Sequence, residues 1–186
     1  MSRRDQIKMS AAEVVSFLEE ERTVTCATVG PRGWPHLMPL WYVSRKPDPS
    51  AASPGAPRRS EVSAQADAPD GGPRIWAWTY ASSQKVRNLE RDPRATLQVE
   101  AGEQYQELRG VMFECDVHVH REIEIVSALG QEIFRRYAVP RGEPPVDALA
   151  PEVAAMVDKQ AAKRVALEFF ERRRATWDHR KLAGVY

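Results

Sequence analysis

Short runs in which apolar and polar residues alternate constrain this fold most, because a period of two places one face of a β-strand against a core. Such runs cover residues 23–29, 95–99 and 108–120, and a further strand is predicted over residues 164–170. Turn residues or short helical segments separate them, which favours antiparallel pairing. About six strands with helices between them predict a mainly β protein, a small antiparallel barrel.

The predicted helices lie between these strands. Ser10 and Glu13 have the spacing of a capping box, so a helix is expected to begin there and to end near Glu21. A strand is predicted over residues 36–43, in which Pro39 lacks a backbone N–H and indicates an edge position or a bulge. The other predicted helices are residues 82–91, 122–137 and 152–163.

Residues 46–73 differ from the rest of the chain in composition. The segment holds six of the 14 prolines and has no aromatic residue. It therefore buries too little apolar surface to offset the entropy of ordering, and a disordered insertion is expected within a single domain of residues 1–186. The flanking residues 41–43 and 74–80 are expected to pair as though the insertion were absent.

Charge and cysteine content exclude several classes of protein. The chain has 27 Lys and Arg residues against 26 Asp and Glu residues, so no overall charge favours binding to nucleic acid or to a membrane surface. No apolar run is long enough for a membrane helix, and a cytoplasmic protein is expected. Cys26 and Cys115 lie in apolar strands, which indicates buried thiols and no disulfide framework.

The start of the helix near residue 83 is a candidate anion site. Ser82 or Ser83 is the expected N-cap, and the first turn of a helix has unsatisfied N–H groups and a partial positive charge. Lys85 in that turn is unfavourable unless an anion is present, and Arg87 and Asn88 are positioned to add contacts. The alternative is a capped surface helix whose basic side chains extend into solvent.

Other reactive residues are given structural roles by the sequence. Asp116, His118 and His120 share a strand face opposite Cys115, and a solvated polar face with no metal site is expected. The adjacent pair Asp178-His179 has no nucleophile context, which argues against a hydrolase. Residues 172–174, all arginine, are expected in a turn between two strands.

Several motifs occur in the same order as in a known superfamily. They are Gly-Pro-Arg-Gly-Trp-Pro-His at 30–36, Leu-Met-Pro-Leu-Trp-Tyr-Val at 37–43, the run from Ser83 to Leu97, and Trp-Asp-His-Arg-Lys-Leu at 177–182. In them the chain resembles the flavin- and deazaflavin-binding split-barrel superfamily that includes pyridoxamine-phosphate oxidase. It is most similar to the actinobacterial branch that uses coenzyme F-420, and the excess of arginine over lysine agrees with a GC-rich genome.

The resemblance implies a six-stranded antiparallel split β-barrel and a homodimer with cofactor sites at its interface. It implies cofactor phosphate near the start of the helix, the cofactor ring along the strand that contains Pro39, and a contribution from the partner subunit's C-terminal segment. The expected cofactor-binding residues are Pro39, Leu40, Trp41, Trp78, Thr79, Ser83, Gln84, Lys85, Asn88 and Trp177.

The function implied by the resemblance is an oxidoreductase that moves a hydride between coenzyme F-420 and a small unsaturated or quinone-like substrate. The alternatives are an FMN-dependent oxidase or reductase of the pyridoxamine-phosphate-oxidase type, and a non-catalytic flavin-, deazaflavin- or haem-binding protein. A structural protein without a ligand is a further alternative. No catalytic residue is assigned, because the cofactor supplies the reactive atom; His36, Tyr80 and Arg109 are candidate donors to a substrate.

Overall fold

A seven-stranded antiparallel sheet forms the protein, in a computed structural model that describes residues 2–46 and 72–182. The strands are β1 (Val24–Val29), β2 (Pro35–Leu40), β3 (Tyr42–Arg45), β4 (Arg74–Tyr80), β5 (Arg94–Ala101), β6 (Arg109–His120) and β7 (Arg164–Asp178). Their order across the sheet is β2-β1-β5-β6-β7-β4-β3. The sheet confirms the predicted antiparallel split barrel.

Closure of the barrel depends on the chain around Trp41. β2 pairs with β1 at one edge of the sheet, whereas β3 pairs with β4 at the other edge. Because a single residue separates the two strands, the two edges must lie side by side, and the sheet curls into a barrel. β2 is an edge strand, as Pro39 predicted.

Two predicted boundaries need correction, and the first changes the strand count from six to seven. Residues 36–43 form two strands that pair with different neighbours rather than one. β7 continues from Arg164 to Asp178, so residues 172–174 lie within a strand and not in a turn. The pairing of β6 with β7 shifts at Glu114, and Arg172 is the extra residue of a β-bulge. Because a bulge interrupts the alternation of apolar and polar residues, the sequence predicted a strand that ends before residue 172.

In the described part of the chain five α-helices accompany the sheet: α1 (Arg3–Gln6), α2 (Ala11–Glu20), α3 (Gln84–Arg91), α4 (Ile123–Tyr137) and α5 (Pro151–Ala161). The capping box of Ser10 and Glu13 is present at the start of α2. None of the described helices is long and apolar enough to cross a membrane. The predicted insertion at residues 46–73 lies, apart from its ends, outside the described residues. The strands on either side of it pair as expected, with Tyr42 opposite Ala77.

The two faces of the sheet bury different side chains. Inside the barrel, one cluster includes Phe17 of α2, Leu89 of α3 and Cys26 of β1. On the outer face, a second cluster includes Trp78 of β4 and Leu129 of α4. Both cysteines are buried in the barrel, as predicted, and desolvation raises the pKa of the Cys26 thiol to about 12.

Arg136 joins α2, β3 and α4 at the point where the barrel closes. Its guanidinium donates hydrogen bonds to the carbonyls of Tyr42, Leu18 and Glu21, at 2.9, 2.7 and 2.8 Å. It also lies 4.7 Å from the centre of the Tyr42 ring, and the Tyr42 hydroxyl donates to the Leu18 carbonyl. One cation therefore donates to carbonyls at the C-terminal end of α2, where the helix itself provides no N–H donor for them.

We expect Arg136→Met to lower the free energy of unfolding by about 2–3 kcal/mol, because it removes charge-assisted hydrogen bonds to partly buried carbonyls. Urea denaturation followed by tryptophan fluorescence measures the change. Arg135→Met is the matched control, since Arg135 lies on the same helix and makes a 3.4 Å hydrogen bond to the Asp147 carbonyl. Equal losses in the two variants would contradict the role given to Arg136.

Candidate functional site

The N-terminal end of α3 places a buried cation beside the barrel. Lys85 is 6% exposed, and its Nζ donates to Thr79 Oγ1 at 3.0 Å. No carboxylate among the described residues pairs with it. Desolvation lowers the pKa of Lys85, which shows that burial disfavours its charge in the absence of a counter-ion. An anion at this position would offset that cost.

Two further features of the same helix end suit an anion. Ser83 is the N-cap, but its hydroxyl makes no capping hydrogen bond and is buried without a described partner. The N–H groups of residues 84–86 lie in the first helical turn, where the helix provides no acceptor for them. The first turn of α3 and its N-cap thus carry a lysine, an unpartnered hydroxyl and free N–H groups, three features that suit a phosphate.

Asn88 and Gln84 hold this helix end in place. Asn88 is completely buried, and its Nδ2 donates to Thr28 Oγ1 of β1 at 3.0 Å. Gln84 Nε2 donates to Asn88 Oδ1 at 2.9 Å. Asn88 therefore fastens α3 to the barrel, while Gln84 is exposed at the helix start. The helix cannot move away from β1 without breaking these bonds.

The other predicted ring-binding residues divide between the two faces of the sheet. Thr79 points into the barrel with Lys85, whereas the Trp78 side chain lies on the outer face and meets Phe134 edge-on at 6.1 Å. Trp41 also contacts Phe134, at 6.5 Å, and stacks on Tyr137 at 4.4 Å. Trp41 and Trp78 are thus brought together under α4, but the Trp78 indole is on the opposite face of β4 from Thr79.

The edge strand β2 exposes apolar surface next to these residues. Leu40 is buried in the barrel core, while Pro39 is exposed. Trp34 is 76% exposed and Leu37 is 56% exposed. A monomer leaves this row of side chains in water, and such surfaces mark interaction sites.

Trp177 lies near the opposite end of β7 from the residues that pair with Thr79. It is part of β7 and pairs with Gly110, where an added Cβ would lie 2.3 Å from the indole. The partner of Thr79 on β7 is Val165, twelve residues earlier on the same extended strand. The predicted C-terminal segment is therefore, at Trp177, part of a strand.

The three candidate donors to a substrate have different surroundings. Arg109 is committed to an ion pair with Glu20 at 2.6 Å. Tyr80 is 50% exposed beneath the guanidinium of Arg164. His36 on β2 has a buried Nδ1 without a described hydrogen-bond partner. Tyr80 and His36 keep polar groups available, whereas Arg109 does not.

The residues that the sequence analysis assigned to a solvated polar face have specific partners in the structure. Asp116 forms an ion pair with Arg172 at the bulge. His120 is 4% exposed and contacts Glu168, so the expectation of a solvated polar face is wrong. Glu168 was missed because it lies on β7, and only strand register places it beside the histidines.

Asp178 and His179 do not form a catalytic pair. The Asp178 carboxylate accepts hydrogen bonds from Arg180, and His179 Nδ1 contacts the Tyr105 carbonyl at 2.9 Å. The two side chains therefore have separate partners, which agrees with the argument against a hydrolase.

Comparison with known proteins shows the family. The model of the pyridoxamine 5'-phosphate oxidase family matches residues 10–160. The conserved hypothetical protein Rv2991 of Mycobacterium tuberculosis has a solved structure that is 33% identical, with a TM-score of 0.73, over 100% of this chain and 95% of its own. No curated protein matches this chain in sequence.

Two more distant structures are similar in fold alone. An F-420 reductase is 19% identical over 86% of this chain and 93% of its own, with a TM-score of 0.52. The haem storage protein HutZ of Vibrio cholerae is 14% identical over 87% of this chain and 89% of its own, with a TM-score of 0.55. The family model over residues 10–160 and the 33% identical structure show that this chain belongs to the pyridoxamine 5'-phosphate oxidase family.

Proposed function

We propose that this protein is an oxidoreductase that uses coenzyme F-420 to transfer a hydride to or from a small unsaturated or quinone-like substrate. The observation that carries the proposal is the buried, carboxylate-free ammonium of Lys85 beside the unpartnered Ser83 hydroxyl at the start of α3. That arrangement suits the phosphate of a flavin-type cofactor. The resemblance of the chain to F-420-dependent enzymes favours the deazaflavin over FMN.

The residues of this chain would bind and orient the cofactor rather than react. Lys85, Ser83 and the first-turn N–H groups would hold the phosphate, while Asn88 and Gln84 keep the helix end in position. The segment Pro39–Trp41 and the backbone of Trp78 and Thr79 would lie along the ring. The bound deazaflavin or flavin supplies the hydride-carrying ring atom, and the protein supplies orientation and exclusion of water.

A second copy of the chain is part of this proposal. The exposed apolar row on β2 would be covered by a partner, and Trp177 lies twelve residues along β7 from Val165, the residue that pairs with Thr79. A homodimer accounts for both observations, since a partner's C-terminal strand can reach a site at the interface. Each site would then contain residues from two subunits.

Titration of the purified protein with coenzyme F-420, and separately with FMN and haem, tests the cofactor assignment. We expect F-420 to quench the fluorescence of the five tryptophans at lower concentration than FMN or haem. Reduced F-420 should then be oxidised by at least one quinone or unsaturated acceptor. If FMN binds more tightly than F-420, FMN becomes the proposed cofactor. Binding of a cofactor without turnover would favour the non-catalytic alternative. Binding of none of them would overturn the proposal.

We expect Lys85→Met to weaken cofactor binding by roughly 10- to 100-fold, because a charge-assisted contact to phosphate contributes about 1.5–3 kcal/mol. The same variant should leave the cofactor-free protein at least as stable as the wild type, because it removes a buried charge. Kd values from the titration and thermal unfolding give the two readouts. Lys159→Met, at an exposed lysine on α5, is the matched control. An unchanged Kd in the Lys85 variant would contradict the assignment of Lys85 to the cofactor site.

We expect light scattering to give a mass of twice 21.0 kDa, and Leu37→Glu to shift the protein towards the monomer, since it places a charge in the apolar row of β2. Met156→Glu on α5 is the control, because Met156 is similarly exposed away from that row. A wild-type mass near 21.0 kDa at all working concentrations would contradict the dimer.

A further inference from the structure

The side chains of His118, His120 and Glu168 meet on the outer face of the sheet because of strand register. His118 of β6 lies directly opposite Glu168 of β7, which lies opposite Trp76 of β4. His120 is two residues further along β6 and so projects from the same face. One potential ligand atom from each of His118, His120 and Glu168 lies within 4.8 Å of the other two.

Two of these side chains are buried and held in fixed orientations. His120 and Glu168 are 4% and 3% exposed, and His120 Nε2 lies 2.9 Å from Glu168 Oε2. Trp76 stacks on the His120 ring at 5.0 Å, with 21° between the ring planes. Arg74 donates to the other carboxylate oxygen, Glu168 Oε1, at 2.9 Å. The cluster is therefore preorganised by its neighbours.

His118 is the member that this network does not satisfy. Its ring centre lies 4.3 Å from that of His120, and its Nδ1 is buried without a hydrogen-bond partner in the described part of the chain. A buried polar atom without a partner is costly, so the site favours a further group beside His118. The ion pair of Arg74 with Glu168 offsets the carboxylate charge but provides nothing for this nitrogen.

We propose that His118, His120 and Glu168 bind one divalent transition-metal ion, with Zn²⁺ the best match. Two imidazoles and one carboxylate form a donor set that Zn²⁺ and Fe²⁺ accept, with ligand bonds of about 2.0–2.2 Å. Ligand atoms at that radius in a tetrahedral site lie roughly 3.3–3.6 Å apart. Rotation of the half-buried His118 side chain would close the separations of up to 4.8 Å. The 2.9 Å contact between His120 Nε2 and Glu168 Oε2 would open by about 0.5 Å to admit the ion.

Glu122 is placed to hydrogen-bond the His120 nitrogen that faces away from Glu168. Glu122 Oε2 lies 3.9 Å from His120 Nδ1, on the side of the ring away from Glu168. A carboxylate that accepts the second ring N–H of a histidine ligand fixes its tautomer and strengthens metal binding. Three protein ligands leave a fourth position open for water or a small ligand. This site is separate from the phosphate-binding end of the proposed cofactor site, because Lys85 and Thr79 lie on the opposite face of the sheet.

Isothermal titration of tag-free, chelator-treated full-length protein with Zn²⁺ tests the proposal, with Co²⁺ as the spectroscopic probe. We expect one ion per chain, a visible Co²⁺ spectrum typical of tetrahedral coordination, and a rise in melting temperature with Zn²⁺. His118→Ala should weaken Zn²⁺ binding by at least roughly 10- to 100-fold, the loss that even an outer partner causes. Because His118 is half-buried and the other two ligands are buried, its substitution is the least disruptive to folding.

His179→Ala is the matched control, because His179 is another partly exposed histidine, which contacts the carbonyl and the ring of Tyr105 and lies outside the cluster. It should bind Zn²⁺ like the wild type. Glu168→Gln, checked for folding by circular dichroism, should weaken binding as His118→Ala does. Absence of Zn²⁺ binding by the wild type, or equal binding by His118→Ala and the wild type, would overturn the proposal. Neither outcome would bear on F-420 or FMN binding at Lys85, which the fluorescence titration measures separately.

Discussion

Closure of the sheet at Trp41 is the constraint on which the other features of this structure depend. A single residue joins a strand at one edge of the sheet to a strand at the opposite edge, so the sheet has to be a barrel. The contacts of Arg136 and Tyr42 hold α2 and α4 at this point. Closure also creates an interior face and an outer face, and each face has its own chemistry.

The interior face holds the buried lysine of the candidate cofactor site. At the end of the barrel, α3 buries Lys85 and Asn88 against β4 and β1, so a charged helix terminus sits on a rigid support. A buried lysine without a carboxylate destabilises the empty protein, and this cost is recovered when an anion binds. Sites that bind ligands often retain such local costs, because removing them would also remove the affinity.

The outer face is organised by strand register rather than by closure. Trp76, Glu168 and His118 form a row across β4, β7 and β6, and α4 and α5 cover the neighbouring apolar residues. A shift of one residue in the pairing would place Glu168 inside the barrel and separate it from both histidines. The histidine and glutamate cluster therefore exists only because two long strands pair in one register.

The sequence by itself determined the strand and helix types, the capping box at Ser10, a helix start at Ser82 or Ser83, and an edge position or a bulge at Pro39. These features depend on local periodicity and on the backbone chemistry of single residues. It also predicted the family and the buried thiols. Only the tertiary structure decided that residues 36–43 form two strands, that β7 continues through a bulge, and that Glu168 meets His118 and His120. Those results depend on pairing between residues far apart in the chain, where no local pattern specifies the register.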